Sequence, residues 1–115
     1  MGAEKQFENK VKAYLKSKGC WVLKTWSNGI QREGVPDLLV CCNGYFLGIE
    51  LKAETGHPTR LQVWNVNQIR KAGGVAIVLY PDKFEELQQL IEQLLSNNPF
   101  ASYMQRTFDE RGDYL

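Results

Sequence analysis

Pro36-Asp37 is followed, after twelve intervening residues, by Glu50-Leu51-Lys52. Two carboxylates and one ammonium brought together are what metal-dependent phosphodiester hydrolysis needs. The acids hold a divalent cation, and the amine orients water or offsets charge on the phosphate oxygens. Side chains of a strand alternate faces, so Glu50 and Lys52 point the same way and Leu51 the opposite way. The segment that carries them, 45–53, is largely apolar. A Glu and a Lys there are costly to bury unless paired or metal-bound. Leu38-Leu39-Val40-Cys41-Cys42 is a second apolar run, and Asn43-Gly44 joins the two, which is the strongest short-range hairpin signal. Folding that hairpin sets Asp37, at the start of one strand, beside Glu50 and Lys52 near the end of the other. The carbonyl of Leu51 is a further oxygen for the same cation. The competing reading is an Asp at a strand start, an exposed edge Glu and a snorkelling Lys.

The elements that must position these groups follow from patterning. Residues 4–18 read as an amphipathic helix, with Phe7, Val11, Tyr14 and Leu15 on one stripe and Gly19 as its stop. Residues 20–26 read as a strand, and 27–35 as a loop broken by Asn28-Gly29 and Glu33-Gly34. After the hairpin, Thr59-Arg60-Leu61-Gln62 matches a capping box that opens a helix running to Ala72 and ended by Gly73-Gly74. Val75 to Tyr80 is a continuous apolar run, hence an interior strand. Asp82 is expected to cap a last helix, with Glu85 at the box position and Phe84, Leu87, Ile91 and Leu94 as its stripe. Beyond Ser96 the pattern dissolves into a polar tail with scattered aromatics. The order α-β-β-β-α-β-α predicts an α/β fold, a four-stranded mixed sheet flanked by helices on both faces, its last strand parallel to a neighbour.

The length of 115 residues suits one domain. No apolar run approaches the ~20 residues that span a bilayer, and the charged, helix-like N-terminus does not read as a signal peptide. Three cysteines, an odd number without a Cys-x-x-Cys spacing, suit small core residues of a reduced intracellular protein. A net charge of +1 argues against a histone-like binder of nucleic acid. Yet the lysines crowd the first third and the acids sit late, and phosphate contacts need only a local basic surface.

The residues resemble the PD-(D/E)XK nuclease superfamily and, more narrowly, are similar to the VRR-NUC (virus-type replication-repair nuclease) domain. The likeness lies in Gly34-Val35-Pro36-Asp37-Leu38, Gly48-Ile49-Glu50-Leu51-Lys52-Ala53, Gly56, Gln62 and Gly73-Gly74-Val75, with Glu8 on the first helix. It implies a restriction-endonuclease-like core over residues 1–95, with 96–115 as a tail. It implies that Asp37 and Glu50, with the Leu51 carbonyl, are metal ligands. Lys52 would be the catalytic lysine, and Gln62 and Glu8 further catalytic positions. Gln62 is equally accounted for as the helix cap; for Glu8 the alternative to a functional role is a solvated flank residue. Lys24, Arg32 and Arg60 are the candidate DNA contacts. His57, alone in a Gly-Pro turn, suits no metal site or triad. Trp21, Trp26 and Trp64 read as core or interface anchors before base-stacking platforms.

These readings lead to a Mg²⁺-dependent DNA endonuclease, with Mn²⁺ as a substitute, from a bacterial or phage-infected cytoplasm. Stand-alone members of the family resemble branched-DNA resolving enzymes, so the likeness implies branched DNA, a Holliday junction foremost, as the substrate. Two symmetric cuts call for a homodimer joined through the tail or the last helix. A nicking or restriction-type nuclease, a DNA-binding module of the same fold without catalysis, and a small ligand-binding regulator stay open at this point.

Overall fold

The computed structural model describes residues 2–26 and 33–97, so Arg32, most of the loop before Gly34 and the tail from Asn98 lie outside the described residues. Helix α1 (Ala3–Ser17) leads through Gly19 into β1 (Trp21–Lys24). Strands β2 (Leu38–Cys42) and β3 (Tyr45–Leu51) form the hairpin. Its turn residues Asn43 (φ 52°) and Gly44 (φ 91°) are both left-handed, as the tight hairpin turn requires. Helix α2 (Arg60–Lys71) crosses over to β4 (Val75–Leu79), and α3 (Phe84–Leu95) closes the domain. The sheet order is β1-β2-β3-β4, antiparallel for the first two pairings and parallel for β3 with β4.

One side of the sheet carries the core. Val11 and Leu15 of α1 and Leu87 and Ile91 of α3 meet Leu38, Val40, Leu47, Ile49 and Leu79, all of them buried. Alternation explains the choice, because the odd positions of β3 and the even positions of β2 face the same way. On the other side α2 lies close over β3. A Cβ on Gly48 would meet Ile69 at 3.0 Å and Pro36 at 3.1 Å. The helix covers the β3–β4 half and leaves Trp21, Leu23 and Phe46 exposed.

Several expectations change, among them that the last strand is interior: β4 lies at the edge of the sheet, its apolar run covered by the helices. Asp82 does not cap α3: Pro81, with its fixed φ, opens a 3₁₀ turn over Pro81–Lys83, and Lys83 takes the cap position without a side-chain bond. Cys41 is exposed because it lies on the α2 side of the sheet beyond the part that helix covers, whereas Cys20 and Cys42 are core residues. The apolar stripe of α3 is spent on its own core, so that stripe is not an interface. Nor are the tryptophans core, since all three are exposed.

The turn is also tied to the end of the chain that is described. Asn43 Nδ2 donates to the Leu94 carbonyl at 2.9 Å, at the unsatisfied end of α3. Asn43→Ala therefore loses a helix-end hydrogen bond and strains a left-handed residue. A loss of about 1–2 kcal/mol is expected in urea denaturation, and an unchanged midpoint would refute that coupling.

Candidate active site

Pro36-Asp37 is held before β2 enters the sheet. The Thr25 amide donates to the Asp37 carbonyl at 2.9 Å, and Thr25 Oγ1 donates to the Pro36 carbonyl, also at 2.9 Å. Thr25 is a buried positioning residue that sequence patterning does not single out, since a Thr ending a strand is ordinary. The Asp37 carboxylate then reaches across the hairpin, where its Oδ2 accepts from the Leu51 amide at 2.9 Å. The β2–β3 register, with Leu38 opposite Ile49, would set Pro36 opposite Leu51. Proline has no N–H, so it cannot donate to the Leu51 carbonyl, and the Asp37 side chain takes the place of the ladder. The neighbouring Lys52 amide bonds the opposite way, to Leu79 on β4 at 3.0 Å. The Leu51 carbonyl thus shares the sheet edge that Asp37 occupies.

Glu50 is only 1 % exposed. Its Oε2 lies 3.4 Å from the Lys52 ammonium, and its Oε1, also buried, has no hydrogen-bond partner among the described residues. Burial foremost, then the adjacent Asp37 carboxylate, pushes the Glu50 carboxyl up to about 7 despite Lys52. Two carboxylates that repel each other, one with an unsatisfied buried oxygen, fit a divalent cation. Mg²⁺ in particular takes one or two carboxylates and fills its remaining positions with water and phosphate oxygens. Among the described residues no group of three or more His, Cys, Asp and Glu could hold a metal, so the site offers a cation two carboxylates and the Leu51 carbonyl.

The acids open into a cleft of about 690 Å³ at the sheet end away from the Asn43-Gly44 turn, lined also by Lys5, Glu8, Lys24, Lys52, His57 and Gln62. Gln62 belongs both to the cleft and to the helix cap. Its Oε1 accepts from the Thr59 amide at 2.8 Å while Thr59 Oγ1 accepts from the Gln62 amide at 3.1 Å. Only its Nε2 is left to donate into the cleft. Arg60 is exposed at the first turn of α2 and does not line the cleft.

Glu8 is buried on α1, and three ammoniums converge on it: Lys5 at 2.8 Å, Lys12 at 3.2 Å and Lys24 of β1 at 2.9 Å. Burial would raise its carboxyl, but the lysines overcome that and hold it at about 2. Lys24 also stands 3.8 Å from Asp37 Oδ1, joining this cluster to the acid pair. Lys5 and Lys12 belong to the lysines that crowd the first third of the sequence, and their i−3 and i+4 spacing from Glu8 is the signal that pairs them with it.

A family model described as archaeal Holliday junction resolvase (Hjc) matches residues 2–104. Among solved structures, one titled "VRR_NUC domain" is 30 % identical with a TM-score of 0.63, covering 77 % of this chain and 94 % of its own. A "VRR_NUC domain protein" is 17 % identical with a TM-score of 0.62, covering 84 % of this chain and 90 % of its own. Hjc of Archaeoglobus fulgidus, a Holliday junction resolvase, is 20 % identical with a TM-score of 0.52 over 66 % of each chain. The last two likenesses concern the fold alone. No curated protein matches the chain.

Proposed function

Since the chain belongs to the archaeal Holliday junction resolvase family and shares its nuclease fold with VRR-NUC proteins, we propose that it is a Mg²⁺-dependent endonuclease that cuts branched DNA, a Holliday junction foremost, as a homodimer. That it is a nuclease of this superfamily is its family character; the metal, the junction and the dimer are our reading. One observation carries it: the Asp37–Glu50 pair, in which Glu50 is buried and its Oε1 unpartnered, set against Lys52. Asp37, Glu50 and the Leu51 carbonyl hold the cation. When bound, the cation supplies positive charge to the phosphate oxygens and makes water a better nucleophile.

The chain's own groups do the rest. Lys52, fixed by Glu50 Oε2, presents its ammonium to the reacting phosphate and stabilises the charge that grows there. Gln62 Nε2 donates from the start of α2, while the helix cap locks its rotamer. Lys24 lends positive charge beside Asp37. We assign the nuclease to residues 1–95, ending with α3, and leave 96–115 outside it. The homodimer has its apolar surface in Trp21, Leu23 and Phe46, on the side of the sheet that α2 leaves open. A cleft this small reads backbone shape and phosphates in preference to base sequence.

The test is a panel of four-way, flapped and linear duplex DNAs incubated with the protein and Mg²⁺, Mn²⁺ or chelator. Paired, symmetric, metal-dependent cuts confined to the four-way junction are expected. Single nicks in linear duplex would replace the junction by a nicking reading. No cleavage of any DNA would leave a binding module of this fold.

A further inference from the structure

Five lysines with described partners project from α1 and β1, and they divide cleanly. Lys10 lies over the Phe84 ring at 4.4 Å, and Lys18 pairs with Glu92 at 3.0 Å, so these two serve the packing of α3. Lys5, Lys12 and Lys24 all converge on Glu8. A single carboxylate cannot neutralise three ammoniums, and even with Asp37 beside Lys24 the cluster retains about one positive charge. That excess is poorly explained by fold stability alone. Burying one acid with one lysine satisfies the acid, while further like charges around it repel.

The cluster stands at the mouth of the cleft. Lys5 and Lys24 line it, and Lys24 spans from Glu8 to Asp37, so the positive charge begins where the acid pair ends. We propose that Lys5, Lys12 and Lys24 form a phosphate site for the DNA strand, taking a phosphate that flanks the scissile one, with Glu8 as the positioning residue that holds the three ammoniums in register. This rests on the DNA-cleaving reading above and adds to it a second anchor. One phosphate is held by Lys52 and the acid site, its neighbour by the lysine cluster. Two fixed phosphates set the strand's direction through the cleft, which a single contact cannot do. On this reading Glu8 acts through its lysines. Its oxygens face the lysines, Oε1 towards Lys24 and Oε2 towards Lys5 and Lys12.

The test measures binding to a four-way DNA junction in Ca²⁺, in place of Mg²⁺, across a series of salt concentrations, with folding of each variant checked by circular dichroism. Lys5→Gln combined with Lys12→Gln is expected to weaken binding and to flatten the plot of log affinity against log salt by about one unit. Lys18→Gln, the same loss of charge per residue but on the α3 side, keeps the native slope. Glu8→Gln keeps the slope, since its lysines remain, but lowers kcat in Mg²⁺ by about ten-fold, because a displaced strand reacts slowly. Glu8→Asp restores part of that loss.

A native slope in the double lysine variant, with the junction still bound, would overturn the phosphate site and leave the nuclease reading intact. A native kcat in Glu8→Gln would overturn the positioning role. Failure of the native protein to bind or cut any DNA would overturn the nuclease reading itself.

Discussion

Glu50→Gln is expected to cut the metal-dependent cleavage rate by more than about 100-fold, since even outer partners of a metal ligand are worth about 10–100-fold. The same change should stabilise the metal-free protein at pH 8. In the folded chain the Glu50 carboxyl is raised to about 7, against an ordinary value of 4.5. A carboxyl raised on folding contributes its full stability below pH 4.5 and loses it as the pH climbs through 7. Above that pH the ionised, buried Glu50 costs the metal-free fold on the order of 3 kcal/mol, a cost that glutamine does not incur. Thermal melts in chelator should therefore show the variant several degrees above the native protein at pH 8 and level with it at pH 5. Adding Mg²⁺ at pH 8 should raise the native melting temperature and leave the variant unmoved. A variant less stable than the native chain at both pH values would mean that Glu50 is not held as an unfavourable charge. Glu8 runs the other way: held at about 2, it contributes stability above pH 4.5 that fades as the pH falls through 2.

Gly34→Ala is the second large effect, and it acts at a distance from the chemistry. Gly34 has φ +78°, and an added Cβ would lie 2.6 Å from Leu61 Cγ and 2.9 Å from the Leu61 carbonyl carbon. Leu61 is exposed and its side chain can turn away, but the backbone of α2 cannot yield without moving the helix. The left-handed backbone costs about 1–2 kcal/mol and the overpacking about 1–3 kcal/mol more. Relief would pull α2 away from Pro36-Asp37, taking Gln62 with it, so cleavage should fall along with stability. Gly19→Ala separates the two causes. Gly19 has φ +81° but nothing within 4 Å, so it should show the backbone cost alone. Equal urea midpoints for the two variants would rule out the close approach.

Much of the geometry of the candidate site was legible because local rules and tertiary need agree there. Asn43-Gly44 fixes the hairpin, the hairpin fixes the register, and the register places Asp37 against the strand end that carries Glu50. Thr59 and Gln62 make the expected capping box. Other features depend on what lies overhead, which no local pattern records. Cys41 reads as core because its run is apolar, but its exposure is decided by where α2 stops. Asp82 has the right type for a cap, and the proline before it redirects the chain. Glu8 reads as a candidate catalytic acid, but its pairing with Lys24 is not legible, since that partner arrives from another element. Thr25 matters only because Pro36 and Asp37 come alongside. No helix is long and apolar enough to cross a membrane among the described residues.

The bare apolar side and the cleft sit at opposite ends of the same strands. Phe46 lies beside the hairpin turn and Glu50 four residues further on, roughly 13 Å along the sheet. Between them Pro36 and Ile69 close over Gly48 like a bulkhead. A second copy seated on Trp21 and Phe46 would leave each cutting mouth unobstructed, and the spacing between two incisions would then be dictated by how the apolar plates are offset.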